Sequence, residues 1–521
     1  MARVHQRGGF GPIDFEKAVS REPLNEKLSI FETIQTFIRS SRQPVAIDPG
    51  EDPIELAPGS YVVTPRGEAA VIECWNESRN LVRRVRSIRA ARRGRLELDF
   101  ERFGGATGTL LLADLADAAN REAGRRGNRM KYRERFRRSL RRQFPDWRIV
   151  ELTTEPDLHH SLSPSYPRAW LRRGNVGLAA IGAAEDALSP EGALSFGLIW
   201  LDYLRKRERR VTMEGLAIFV PEAAAATTCH RVRHLNHEIA RYSVFVHDGA
   251  GQEDAADPGD FTNFETRLET FSEAGEHPGM NRLAAIEGVE RRANADGSVS
   301  LAVRGLEFAR STGGELRFGI DQRHAAAPRN LGEIEELARG LSRMRSASAA
   351  DRQNPLYLRH PEAWLESEVR NSIEQIDANL YRRPVYGQVP HFAGGERGVI
   401  DLLAADRDAR LAVIEIKAEQ DIHLPLQALD YWMRVDWHLR RGEFSGRGYF
   451  PQMELSARAP RLILVAPALE YHPTNEIILR YLARTIEAER IGVGLEWKKE
   501  LRVMFRAASA ESHGPCRTHP G

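Results

Sequence analysis

Asp401, Glu415 and Lys417, in the segment GVIDLLAADRDARLAVIEIKAEQD (398–421), have the types and spacing to do chemistry. Glu415 and Lys417 are two apart in an apolar run, LAVIEIK, that reads as a strand, so both side chains point to one face of a sheet. If the preceding run, GVIDLLAAD, is the hairpin neighbour, Asp401 reaches the same face. Two carboxylates held together raise each other's pKa. A divalent cation removes that conflict: Mg²⁺ takes one or two carboxylates plus water and phosphate oxygens. There it polarises a phosphate and helps generate hydroxide. Lysine usage sharpens the point, because only seven of the 75 basic residues are lysines. Arginine is a rigid, permanently charged fork, whereas lysine is a compact charge with a movable pKa. Lys417 is expected to position the attacking water or to stabilise the pentacovalent phosphate.

The elements that must hold these residues follow from periodicity. PEAWLESEVRNSIEQIDANL (361–380) reads as a helix with Pro in its first turn. Leu365, Val369, Ile373, Ile376 and Leu380 form its apolar face. Glu362 falls inside that sector and Glu366 on its edge, so Glu362 is the favoured sheet-facing acid and Glu366 the alternate. Three strands follow, PVYGQVPHF, GVIDLLAAD and RLAVIEIKA. Next come a helix over roughly 423–441 carrying Gln427 and Tyr431, a buried strand RLILVAPAL and a helix NEIILRYLARTIEAER. GVGLEW and LRVMF read as late strands. The order α-β-β-β-α-β implies a mixed sheet between helices.

With D-x13-E-x-K at Asp401, Glu415 and Lys417, Glu362 on the preceding helix and Q-x3-Y at Gln427 and Tyr431, the region 355–450 resembles the PD-(D/E)XK nuclease superfamily. It is similar to the RecB-type branch and to the C-terminal domain of NucS-type endonucleases. The resemblance implies a restriction-endonuclease-like fold and Mg²⁺- or Mn²⁺-dependent hydrolysis of phosphodiester bonds, usually in DNA. It implies that Asp401 and Glu415 ligate the metal, helped by the Ile416 carbonyl. It also implies that Lys417 is the catalytic lysine, that Glu362 is the helix acid, and that Gln427 and Tyr431 orient the site and the nucleic-acid backbone.

The rest of the chain is read without such a resemblance. The 521-residue length suggests two to four domains, 42% hydrophobic and 28% charged residues are those of an ordinary globular protein, and the mixture of helical and strand patterns reads as α/β, α+β overall. The expected division is an N-terminal arm with a small β-rich module (1–122), a middle α/β domain (123–345), the nuclease-like domain (346–506) and a disordered tail (507–521). Five runs from Tyr61 to Leu112 read as strands of a small antiparallel sheet or barrel. RRGNRMKYRERFRRSLRRQF (125–144) reads as a helix with Met130, Phe136, Leu140 and Phe144 on one face. Arg125, Arg126, Arg133, Arg137, Arg138 and Arg141 on its outer side form either a solvated face or a track for nucleic-acid phosphates.

The middle region repeats the later order of elements, with Leu201-Asp202-Tyr203 echoing Leu429-Asp430-Tyr431. That suggests a degenerate duplicate of the same core. Its AWLRRGNVGLAAIGA segment has no Asp and no E-x-K, so the copy would be catalytically dead. Net charge is +2, so attraction to nucleic acid must be local. Cys74, Cys229 and Cys516 are far apart and make no disulfide framework, which fits a reducing, cytoplasmic setting. No apolar run is long enough to span a membrane. The histidines at 159, 160, 230, 234 and 237 lack a carboxylate or Cys to complete a zinc site. GxxxxGK[ST] and GxSxG are absent, so neither an ATP motor nor a serine hydrolase has support. The alternative to an enzyme is an inactive nucleic-acid-binding or scaffold protein on the same fold. A homodimer or a protein partner is open to either reading.

Overall fold

The computed structural model describes residues 29–508 except 49–53, 76–79, 102–106, 186, 188, 249–251, 261–265, 272–276, 295 and 394–395. Residues 1–28 and 509–521, with most of the N-terminal arm, the rest of the tail and Cys516, lie outside the described residues; Ala507 and Ala508, expected in the disordered tail, instead pair with Arg490 and Glu489 in a strand. The described residues fall into two compact units: up to Glu155 with Pro164–Pro167, and from Arg168 onward with Pro156–Ser163. Segments 168–345 and 346–508 therefore share one unit, and the arginine-rich helix belongs to the other.

The first unit opens with helix Ile30–Ser40, whose start is fixed by a reciprocal Ser29–Glu32 capping box. The five expected strands are Tyr61–Arg66, Ala69–Trp75, Asn80–Arg92, Arg95–Glu101 and Thr107–Asp114. Two short strands, Pro44–Ile47 and Ile54–Glu55, join them in a seven-stranded antiparallel sheet. The basic helix runs from Ala118 to Gln143. Its buried stripe is Tyr132, Phe136 and Leu140, whereas Met130 is 41% exposed. Four-residue steps back from Leu140 reach Tyr132, not Met130, which corrects the expected face.

In the second unit one strand topology occurs twice. The later sheet carries the element order expected from 361 on. Helix Pro361–Asn371 is followed by strands Tyr386–Ala393, Glu396–Ala405 and Leu411–Ile416, helix Leu424–Arg440 and strand Arg461–Pro467. The three strands form an antiparallel meander, and Leu411–Ile416 is parallel to Arg461–Pro467. Ala488–Val493 adds in parallel and Val503–Ala508 antiparallel. The earlier sheet repeats the last five strands with the same directions: Arg168–Arg173, Val176–Gly182, Thr212–Pro221, Arg241–His247 and Glu253–Ala256. Helix Ala193–Arg207 sits where Leu424–Arg440 sits in the later sheet.

The two sheets meet reciprocally. Helix Ala193–Arg207 packs on Asn475–Leu479, and helix Glu222–Arg233 packs on Leu424–Arg440. The aspartate of each Leu-Asp-Tyr triplet pairs with an arginine from the other half: Asp202 with Arg480 (3.3 Å) and Asp430 with Arg231 (2.8 Å). Between the halves Leu235 bridges Leu482, and Asn236 N–H donates to the Tyr481 carbonyl at 2.7 Å. This bridge explains one correction. The expected helix over 475–490 stops at Leu479, because Tyr481–Ala483 pairs with 234–236 and Ala488–Val493 joins the sheet.

A third sheet, of five antiparallel strands between Val289 and Ala325, precedes helix Leu331–Met344. It braces the helix Pro361–Asn371. Gly305, at φ +79°, lies against the Ala363 carbonyl where any Cβ would collide. Arg345 is fully buried and donates to the carbonyls of Val303, Arg304, Leu356 and Arg359. That helix is shorter than expected, ending at Asn371 before a separate turn at Ile373–Ile376. Among the described residues no helix is long and apolar enough to cross a membrane. Cys74 and Cys229 are buried and form no disulfide among the described residues.

Candidate active site

Leu411–Ile416 is a central strand with all six residues buried. Alternation sends Ala412, Ile414 and Ile416 into the core with Trp364, Leu365 and Val369 of the helix. Val413, Glu415 and Lys417 take the opposite face. Leu402 pairs with Ile414, which brings Asp401 beside Glu415. Asp401 Oδ2 accepts the Ile416 N–H at 2.9 Å, fixing its carboxylate to the strand that carries Glu415. Lys417 Nζ stands 3.9 Å from Glu415 Oε1 and 3.8 Å from Glu362 Oε2. The hairpin and strand therefore bring together the three residues singled out by spacing.

The helix supplies two acids. Glu362 is half exposed, whereas the side chain of Glu366 is only 3% exposed. Both line a cleft of about 420 Å³ with His360, Asp401 and Glu419. The preference for Glu362 as the sheet-facing acid is thus amended: Glu362 approaches Lys417, and Glu366 is the buried carboxylate. Glu366 is held by residues that periodicity did not single out. Arg292 Nη1 lies 3.2 Å from its Oε2 and Arg370 Nη1 4.0 Å from its Oε1. Glu290 pairs with Arg292 at 2.9 Å and accepts from Ser367. Only the position of Glu366 on the edge of the apolar sector hinted at its role. Arg292 is 74 residues away and gave no signal.

Electrostatics follow burial. Burial pushes the Asp401 carboxyl up to about 7, against the Ile416 N–H and Lys417 and helped by Glu366 and Glu362. Burial raises the Glu415 pKa well above the usual range, and the facing Asp401 adds to the rise. Burial works to lower the Lys417 pKa, but Glu415, Glu362, Asp401 and Asp421 together hold it above its ordinary value. Lys417 is therefore a fixed cation. Burial likewise raises the Tyr431 hydroxyl, with Glu415 and Asp401 as the next causes, so this ring belongs to the same neighbourhood. Gln427, one turn earlier, buries its Oε1 without a donor.

Among the described residues no three His, Cys, Asp or Glu side chains stand together as a ready cation-binding group. The donor set is the pair Asp401 and Glu415. Glu415 Oε2 and Glu366 Oε1 are buried without a hydrogen-bond donor. A buried carboxylate oxygen without a donor is costly, and a cation next to it relieves that cost. Mg²⁺ needs one or two carboxylates, with water filling the rest, so the residues fit such an ion.

No known family model matches this chain, and no curated protein does.

Strand register locates the corresponding positions in the earlier sheet. Ile416 pairs with Val465 and Gly182 with Phe219, each two residues before the proline that ends its strand. Glu415 and Lys417 then correspond to Ile181 and Ala183. Asp401 corresponds to Arg168, the partner of Ile181. None of these three can ligate a cation.

The arginine helix lies in the first unit. Arg133 donates to the Leu152 carbonyl at 3.0 Å and lies 3.3 Å from Glu134; Arg137 is 3.5 Å from the same acid. Arg138 and Arg141 are exposed, and the side chains of Arg125 and Arg126 lie outside the described residues.

Proposed function

We propose that Asp401, Glu415 and Lys417 are the centre of a Mg²⁺- or Mn²⁺-dependent nuclease of the PD-(D/E)XK type, acting on DNA phosphodiester bonds. The run from Pro361 to Pro467 would be its restriction-endonuclease-like core. The observation that carries the reading is one buried face on which two carboxylates and a lysine converge: Asp401 is tied to the Ile416 N–H, and Lys417 lies 3.9 Å from Glu415. A carboxylate pair in that setting is unfavourable alone and favourable around a divalent ion. Asp401 and Glu415 would hold the ion, with the Ile416 carbonyl. When bound, the ion acts as a Lewis acid on water and on a phosphate oxygen.

The side chains do the rest. Lys417, kept charged by its acidic neighbours, orients the attacking water and stabilises charge on the phosphate. Glu362 shares Lys417 and keeps its ammonium directed into the cleft. Glu366, clamped by Arg292, closes the cleft wall beside Asp401. The water oxygen bonds to phosphorus as the bond to the leaving sugar oxygen breaks. The earlier sheet, with Arg168, Ile181 and Ala183 at the corresponding positions, would be a non-catalytic half.

A panel of single-stranded, double-stranded, nicked and flapped DNA, with RNA alongside, tests this in Mg²⁺ and Mn²⁺. The wild type should cut at least one DNA form, while Lys417→Ala and Asp401→Ala should be inactive yet folded. Equal cutting by all three proteins refutes the assignment. Salt-sensitive binding without cutting in any metal supports the scaffold reading instead.

A further inference from the structure

Next to the carboxylate cleft, and joined to it through the contacts of Arg292 and Arg370 with Glu366, lies a second, larger cleft of about 910 Å³, near the upper end of the ~300–1,000 Å³ typical of ligand pockets. Arg291, Arg292, Arg370, Arg382 and Arg383 line it, and none of its described lining residues is acidic. Phe271, Val385 and Tyr386 give it an apolar wall. Four of these five guanidinium groups divide into two sets. Arg292 is buried and Arg370 part-buried, and Glu290 and Glu366 match them. Arg292 is 9% exposed, and its Nε is buried without an acceptor. Arg382 and Arg383 are exposed and have no ion pair or hydrogen bond among the described residues.

The wall between the clefts is thin. Arg292 and Arg370 reach one carboxylate, Glu366, which itself lines the acidic side. Gly387 makes this possible, because any Cβ there would collide with the Arg370 guanidinium and the Glu366 carboxylate. A cleft with unmatched guanidinium groups, next to a site that would cut phosphodiesters, favours a chain of phosphates over a single anion: one anchor sits in each cleft.

We propose that the cleft lined by Arg291, Arg382 and Arg383 holds the phosphodiester backbone of a nucleic-acid strand whose neighbouring phosphate enters the carboxylate site. The choice of ligand rests on the nuclease reading; the anion-binding character of the cleft does not. Guanidinium groups hold phosphates without reading sequence. Each lost phosphate contact removes about 0.7–0.9 from the slope of log K against log salt. Losing two contacts lowers that slope by ~1.4–1.8, so over a fourfold rise in salt the wild type should lose about tenfold more affinity than the variant.

The test uses the full chain in EDTA, where no cleavage occurs. A labelled 20-nucleotide DNA is titrated by fluorescence anisotropy at 50 and 200 mM salt. Arg382→Ala/Arg383→Ala should weaken binding and flatten the salt slope, and Arg382→Lys/Arg383→Lys should restore most of it. Both residues are exposed, and a thermal melt of each variant checks the fold. Inorganic phosphate, at the same concentration of phosphate groups as the DNA, should not displace the strand. Unchanged affinity and slope in the Ala variant, no binding by the wild type, or displacement by inorganic phosphate would each overturn the proposal. If the Ala variant binds weakly while no DNA form is cut in any metal, the cleft proposal stands and the nuclease reading falls.

Discussion

Asp401→Asn should stabilise the metal-free protein at pH 8 while abolishing the proposed chemistry. Burial holds the Asp401 carboxyl at about 7 instead of 3.8. Between those values the folded chain keeps a proton that the unfolded chain has already released. Stability therefore falls as pH rises through that window, and the full penalty is present above about pH 7. Three units at 1.36 kcal/mol each give a penalty of about 4 kcal/mol. Asparagine removes it while still accepting the Ile416 N–H bond. The second unit has roughly 350 residues, and at ~2.1 cal/mol/K per residue its unfolding entropy is ~0.7 kcal/mol/K. The expected gain is thus about 6 °C in Tm at pH 8, shrinking toward zero near pH 4. Thermal melts of both proteins in EDTA, from pH 4.5 to 8.5, measure the gap. A gap that is absent at pH 8, or independent of pH, refutes the argument that Asp401 is held against its charge.

Two further outcomes follow from the same geometry. Among the described residues, Arg292→Ala leaves Glu366 with only Arg370, 4.0 Å away, and Glu290 with only Ser367; breaking a buried pair in this way costs about 3–5 kcal/mol, so Tm should fall by several degrees, and an unchanged melt would show that the clamp contributes nothing. Activity should rise as pH passes through the region of Asp401 ionisation, since only the deprotonated carboxylate binds metal. It should show no falling limb from Lys417 below about pH 10, because its neighbours hold that ammonium above its ordinary value. A bell-shaped profile falling near pH 8 would contradict this assignment of charge.

The site was legible in the sequence where local pattern carries it. Period-two alternation put Glu415 and Lys417 on one face, and the hairpin brought Asp401 to them because the turn at 406–409 leaves Leu402 opposite Ile414. What failed was whatever depends on distant partners. A helical wheel holds Glu362 and Glu366 in nearly the same sector. Arg292, from a sheet 74 residues earlier, decides which of them is buried as an ion pair. The helix expected over 475–490 has good periodicity, yet pairing of Tyr481–Ala483 with 234–236 wins over it. Met130 looked buried on spacing alone and lost its place to Tyr132. The repeated topology of the two sheets shows in the sequence mainly as Leu-Asp-Tyr and a strand-ending proline. Their likeness lies in strand direction and register, which sequence identity does not record.

The most direct measurement is a calorimetric titration of Mn²⁺ into the full chain at pH 8, beside Asp401→Ala and Glu415→Gln. The account predicts binding in the wild type that either substitution removes or weakens by at least tenfold. Equal heats and affinities in all three proteins would contradict it, because the two carboxylates would then not be where the ion sits.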